Sequence, residues 1–90
     1  MNKRIEHHKT FLKHFKKRIK PNKKLHKKFL ERYKMFLEDR ANPLLDDHGL
    51  QGSMMGERAI RITGDYRMIY YEGEEYILLL DIGTHNQVYN

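Results

Sequence analysis

Two turn signals, Gly64-Asp65 and Gly73-Glu74, cut residues 57–82 into three short runs of Ile, Leu, Met and Tyr. No other feature restricts the fold as strongly, because such runs joined by tight turns predict a three-stranded antiparallel meander. In the first run, 57–63, Ile60 and Ile62 share one face while Ala59, Arg61 and Thr63 take the other, the pattern of a half-buried strand. The second, 66–72, divides into Tyr66, Met68 and Tyr70 against Arg67, Ile69 and Tyr71. The third, 76–82, is apolar on both faces, which marks it as central. A central strand needs cover on both sides, so one face is expected to take helices and the other to form a groove or receive a partner.

The helices are written into the N-terminal half. Thr10 is placed to cap a first helix with Phe11, Leu12, Phe15 and Ile19 at helical spacing, and Pro21 stops it. Asn22 can cap a second, longer helix whose stripe is Leu25, Phe29, Tyr33, Phe36 and Leu37. It should end near Asp39, because Asn42 precedes Pro43 and is pushed out of the α region. The two form a helical hairpin whose aromatic stripes read as core, not as a base-stacking platform. Residues 42–56, with Pro43, Gly49, Gly52 and Gly56, read as a loop long enough to carry function, and His48 lies in it.

Charge separates the same two halves. Residues 1–28 hold twelve Lys or Arg against Glu6, a net +11, whereas residues 29–90 carry −5. The basic half is suited to a polyanion, with salt-dependent and largely sequence-blind binding; the alternative is a simply solvated helix face. At 90 residues the chain is expected to be one domain, 1–90, burying roughly 65% of its unfolded surface, which leaves room for support from a partner. The absence of cysteine excludes disulfides and thiolate metal sites and points to a reducing, cytoplasmic compartment. No apolar run reaches the length of a membrane span. His7, His8, His14 and His26 stand among lysines without a second ligand type at metal spacing and read as surface residues.

Three segments together resemble a known family: the loop DHGLQGS, the strand–turn–strand RAIRITGDYRMIYY, and the exit IGTH followed four residues later by Tyr89. In order and spacing they are similar to the C-terminal half of RelE/ParE-superfamily toxins, most closely the YafQ-type branch of ribosome-dependent mRNA interferases. The resemblance implies an α+β fold with the N-terminal helical hairpin packed on a small, mainly antiparallel β-sheet, and a short edge strand over residues 4–8. It implies the toxin of a type II toxin–antitoxin pair, with a cognate antitoxin, the ribosome and mRNA as partners. Lys13, Lys16, Lys17, Lys20, Lys23 and Lys24 would then contact ribosomal RNA. A ParE-like gyrase inhibitor, or another non-enzymatic binder on the same fold, is the alternative, and fold cannot separate the two.

Matched position by position, the family's catalytic groups fall on His48, Asp65 and His85. RNA carries its own nucleophile in the 2′-hydroxyl, so a metal-free site needs proton transfer, in-line orientation and stabilisation of the added charge. Histidines suit the first task at neutral pH, and Asp65 could act as a base or orient a histidine. Arg61 and Arg67 can grip phosphate oxygens, and Tyr66 or Tyr89 can stack on a base or donate a hydrogen bond. His85, after the central strand, is expected to be the general acid on a terminal segment free to close over RNA. No metal or cofactor is expected. Two positions depart from the branch: Arg61 stands in place of a histidine and Tyr66 in place of a tryptophan, which leaves the general base unassigned.

Overall fold

The computed structural model describes residues 3–89 and shows a five-stranded sheet with helices. β1 (Arg4–His7) leads into α1 (Lys9–His14), which widens into a π-helical segment over Phe15–Ile19; α2 (Lys23–Glu38) follows. After a 3-10 turn at Pro43–Leu45 come β2 (His48–Gly49), a second 3-10 turn at Gly52–Met54, and the meander β3 (Arg58–Thr63), β4 (Tyr66–Glu72) and β5 (Tyr76–Thr84), then α3 (His85–Tyr89). The strand order is β1-β5-β4-β3-β2, antiparallel except for the β1–β5 pair.

The alternation read from β3 and β4 holds except at Thr63, which a register shift after Arg61 sets opposite Tyr66 on the helical side instead of on the face of Ala59 and Arg61. Ile60, Ile62, Met68 and Tyr70 join Ile77, Leu79 and Ile82 under the helices, packed on Phe11, Ile19, Leu25, Phe29 and Phe36. Rings run through this layer: Phe15 meets Phe29 edge-on at 4.9 Å, and Phe36 meets Tyr70 likewise at 4.9 Å. Burying each large side chain contributes about 1.5–3 kcal/mol. On the opposite face Ala59, Ile69 and Val88 form a smaller cluster with Leu50, Met54, Leu80 and Tyr89 packed on it. The register slips between Ile69↔Asp81 and Tyr70↔Leu79, so Leu80 is a bulge residue. That one-residue insertion allows Leu79 and Ile82, three positions apart, to reach the same core.

Asn22 caps α2 as expected, its side chain accepting the Leu25 amide at 3.0 Å. Four further expectations need correction. The cap of α1 is His8, whose Nδ1 accepts the Thr10 amide at 3.0 Å, so Thr10 lies inside the helix. Residues 42–56 are not a plain loop, since β2 and two 3-10 turns are built into them. The third meander strand runs on to Thr84. The segment after it is not free: it forms α3, with Val88 buried against the sheet.

Candidate functional site

The cleft face of the sheet is built at the open side, where β2, β3 and β4 meet α3. In the β3–β4 register Arg61 stands directly opposite Arg67. Like charges in that position destabilise a sheet, so the pair calls for an anion. One is supplied internally: the Asp46 carboxylate lies 3.7 Å from Arg61 Nη2. Arg67 is folded along the β3–β4 turn, donating to the carbonyls of Gly64 (2.7 Å) and Tyr66 (3.1 Å).

His48 reaches this face from β2, where it pairs with Ala59, and its Nδ1 lies 2.7 Å from the Asp46 carbonyl. His85 reaches it as the first residue of α3. That short helix starts with a reciprocal cap in which Gln87 Oε1 accepts the Thr84 amide at 2.8 Å and Thr84 Oγ1 accepts the Gln87 amide at 3.3 Å. The His85 amide donates to the Asp65 carbonyl at 2.8 Å, which pins the helix to the β3–β4 turn. Gly83 makes room for the turn into α3, since a Cβ there would lie 2.6 Å from Arg18 Nη1 and 2.7 Å from Gln87 Oε1. The His85 and Tyr89 rings meet edge-on at 4.5 Å. Burial raises the Tyr89 hydroxyl pKa, with Arg67 opposing the rise and Asp46 adding to it. The phenol therefore stays protonated at neutral pH and can donate a hydrogen bond.

Asp46, His48, Leu50, Arg67, His85 and Tyr89 line one open cleft of about 340 Å³. Of the residues singled out in the sequence, His48, Arg67, His85 and Tyr89 are therefore brought together, with Arg61 joined to them through Asp46. Asp65 contributes its backbone carbonyl, while its carboxylate is not among the groups lining the cleft. Tyr66 points to the other side of the sheet, packed on the helical core and lining a separate cavity with Asn22, Lys24, Leu25, Lys28 and Thr63. Lys13, Lys16, Lys17, Lys20, Lys23 and Lys24 are all exposed. Among the described residues, no group of three or more His, Asp or Glu is placed to hold a metal ion, and no helix is long and apolar enough to cross a membrane.

Sequence reasoning overlooked Asp46, the one carboxylate that does line the cleft. It is also the one non-glycine residue with positive φ among those described (φ 48°, ψ 44°). Its neighbour Asp47 was overlooked as well, and it sits at the centre of a polar network with Tyr70, Arg58 and Arg40. The signal available was Tyr70 itself, since a tyrosine on the core-facing side of an inner strand needs a polar partner for its hydroxyl.

Residues 3–90 match the profile of a family described as bacterial toxin of type II toxin–antitoxin system, YafQ. The fold is similar to YafQ from E. coli strain BL21(DE3), with TM-score 0.76, 22% identity, and 98% of this chain and 99% of that chain covered. It is equally similar to a chain of the E. coli DinJ–YafQ complex (TM-score 0.75, 26% identity, 98% and 99% covered). A YoeB/ParE toxin from Agrobacterium tumefaciens shares the fold at 14% identity, with TM-score 0.73 over 91% of this chain and 98% of that one. No curated protein sequence matches the chain. The chain belongs to the YafQ family of type II toxin–antitoxin toxins.

Proposed function

From that membership we propose that the protein is a ribosome-dependent mRNA endonuclease that cleaves through the RNA 2′-hydroxyl without a metal ion. The observation that carries this reading is the cleft itself: two histidines face one space beside two opposed arginines. A binding surface for protein has no need of paired proton-transfer groups, whereas in-line RNA cleavage needs a base, an acid and cations at once.

The Asp46 carbonyl can only accept, so neutral His48 carries its proton on Nδ1 and offers the Nε2 lone pair as a base. It takes the 2′-hydroxyl proton while the 2′-oxygen bonds to phosphorus. Arg61 and Arg67 bind the phosphate oxygens as charge accumulates, displacing the weak pairing of Arg61 with Asp46. His85, charged, gives its proton to the departing 5′-oxygen, leaving a cyclic phosphate and a 5′-hydroxyl. Tyr89 packs on the imidazole and can stack on a base or donate to the phosphate. Asp65 acts through its carbonyl by fixing the start of α3. Tyr66, on the helical side, would touch RNA only beyond the cleft.

The exposed lysines of the N-terminal helices supply the contact with ribosomal RNA, and the ribosome presents the mRNA. The partner that restrains the toxin is a cognate antitoxin, in keeping with the complex formed by DinJ and YafQ.

The test is single-turnover cleavage of mRNA on programmed ribosomes. His85→Ala should slow it by roughly 10²–10⁴-fold, the usual range for lost general acid catalysis. A substrate with sulfur in place of the 5′-oxygen has a leaving group that needs no proton, and its cleavage should be nearly indifferent to the substitution. Equal impairment on both substrates would remove His85 from the acid role, and no cleavage by the wild-type protein would sink the nuclease reading.

A further inference from the structure

Asp46 and His48 both line the cleft, while the residue between them turns the other way. The Asp47 carboxylate, 14% exposed, accepts the Tyr70 hydroxyl at 2.6 Å and Arg58 Nε at 3.3 Å, with Arg40 Nε at 4.0 Å. Tyr70 is itself fully buried, edge-on to Phe36, and cannot follow a moving loop. Arg40 is held in turn by Glu72 at 2.7 Å, and Glu72 also takes Lys3 at 2.8 Å. Asp47 is thus fastened to the middle of the sheet.

On the other side of Asp46, Leu45 is fully buried and closes the 3-10 turn, with the Asp46 amide donating to the Pro43 carbonyl at 3.1 Å. Asp46 therefore bridges two anchored residues, and it does so in a left-handed conformation that is uncommon for residues other than glycine and that Asp is among the few to adopt. The outcome is an Asp46 carbonyl aimed at His48 Nδ1.

We propose that Asp47, clamped by the Tyr70 hydroxyl, is a positioning residue that holds His48 in the Nδ1–H tautomer so that Nε2 faces the cleft as the proton acceptor. The role as acceptor rests on the nuclease reading above; the tautomer does not. In that role Nε2 takes the 2′-hydroxyl proton as the O2′–P bond forms, and the P–O5′ bond breaks as His85 supplies a proton to the leaving oxygen. The network touches no substrate and acts only through the backbone around His48.

Nitrogen-15 imidazole spectra of the free toxin, taken above the histidine titration, read the tautomer directly. Wild-type His48 should show Nδ1–H. Tyr70→Phe, which removes one hydroxyl and leaves the ring packing, should shift His48 toward the Nε2–H form preferred by an unrestrained imidazole. Its single-turnover rate on programmed ribosomes should fall about tenfold, with ribosome affinity unchanged. Asp47→Asn keeps a carbonyl acceptor for the hydroxyl and should retain the tautomer. Should Tyr70→Phe fail to fold, Asp47→Leu removes the carboxylate outside the ring packing and should give the same shift. An Nε2–H His48 in the wild type, or Nδ1–H surviving in both Tyr70→Phe and Asp47→Leu, overturns the proposal. A wild type with Nδ1–H His48 and no cleavage would instead defeat the nuclease reading and leave the tautomer assignment standing.

Discussion

The two faces of one sheet are built on opposite principles. Beneath the helices, β3 and β4 turn Ile60, Ile62, Met68 and Tyr70 into the packed core, with Arg58 and Glu72 at the end of that face held in ion pairs with Asp47 and Arg40. On the cleft face the same strands set two arginines opposite each other, and the loop beside them holds a left-handed aspartate. The first face is nearly all apolar burial, while the second sets its opposed arginines beside a smaller apolar cluster. The contrast teaches that the site's unfavourable charge pairing is offset by the larger packed core, so substitutions on the two faces should move different observables.

The largest effect should come from the helical side. Phe36→Ala empties a fully buried position and should lower stability by about 3–5 kcal/mol, read by urea denaturation. A loss under about 1 kcal/mol would mean that the packed face is not what supports the fold.

Next comes the outer surface of the helices. Replacing Lys13, Lys16 and Lys17 by Gln should reduce the log–log salt slope of ribosome binding by about 2–3 units if each neutralises one phosphate, with the urea midpoint unchanged. An unaltered slope would take these helices out of the interface.

A smaller effect, of opposite sign for the two observables, is expected on the cleft face. Arg61→Gln removes one of two opposed like charges and should raise stability by about 0.2–1 kcal/mol while weakening RNA cleavage. Loss of stability would show that Arg61 is part of the scaffold and blur the division between faces.

The smallest concerns pH. The hydrogen bond from Arg40 holds the Glu72 carboxyl below its ordinary value, burial opposes this, and Lys3 adds to the lowering. A depressed folded-state pKa contributes stability that is present above the unfolded value and is lost as pH falls through the folded one. Stability should therefore decline below about pH 4.5, and Glu72→Gln should flatten that decline slightly. An unchanged acid limb in the variant would assign the decline to other carboxylates.

Strand alternation made much of this division legible in the sequence, since Ile60 and Ile62 against Arg61 already separate core from cleft. The same rule places Tyr66 on the side of Met68 and Tyr70, so grouping Tyr66 with Arg67 in one site conflicted with the pattern that defined the strands. The cap of α1 was missed because an imidazole acceptor at His8 competes with the more usual hydroxyl of Thr10. α3 was missed although Thr84 and Gln87 carry the spacing of a capping box. β2 could not be read at all, because a two-residue strand exists only through its pairing with β3. Nor could the role of Asp46, which depends on anchors at Leu45 and Asp47 that arise from tertiary contacts.

The parallel pairing of β1 with β5 has a kinetic consequence. It joins the two ends of the described chain, and the contact of Lys3 with Glu72 closes a loop of 69 positions. Closing so long a loop is entropically unfavourable until the intervening elements are compact, so β1 should dock last during folding and detach first. Amide exchange should show this strand opening ahead of the meander. Once it lifts, β5 becomes an exposed edge beside α3, and the proposed acid at His85 would feel the state of a strand on the far side of the sheet.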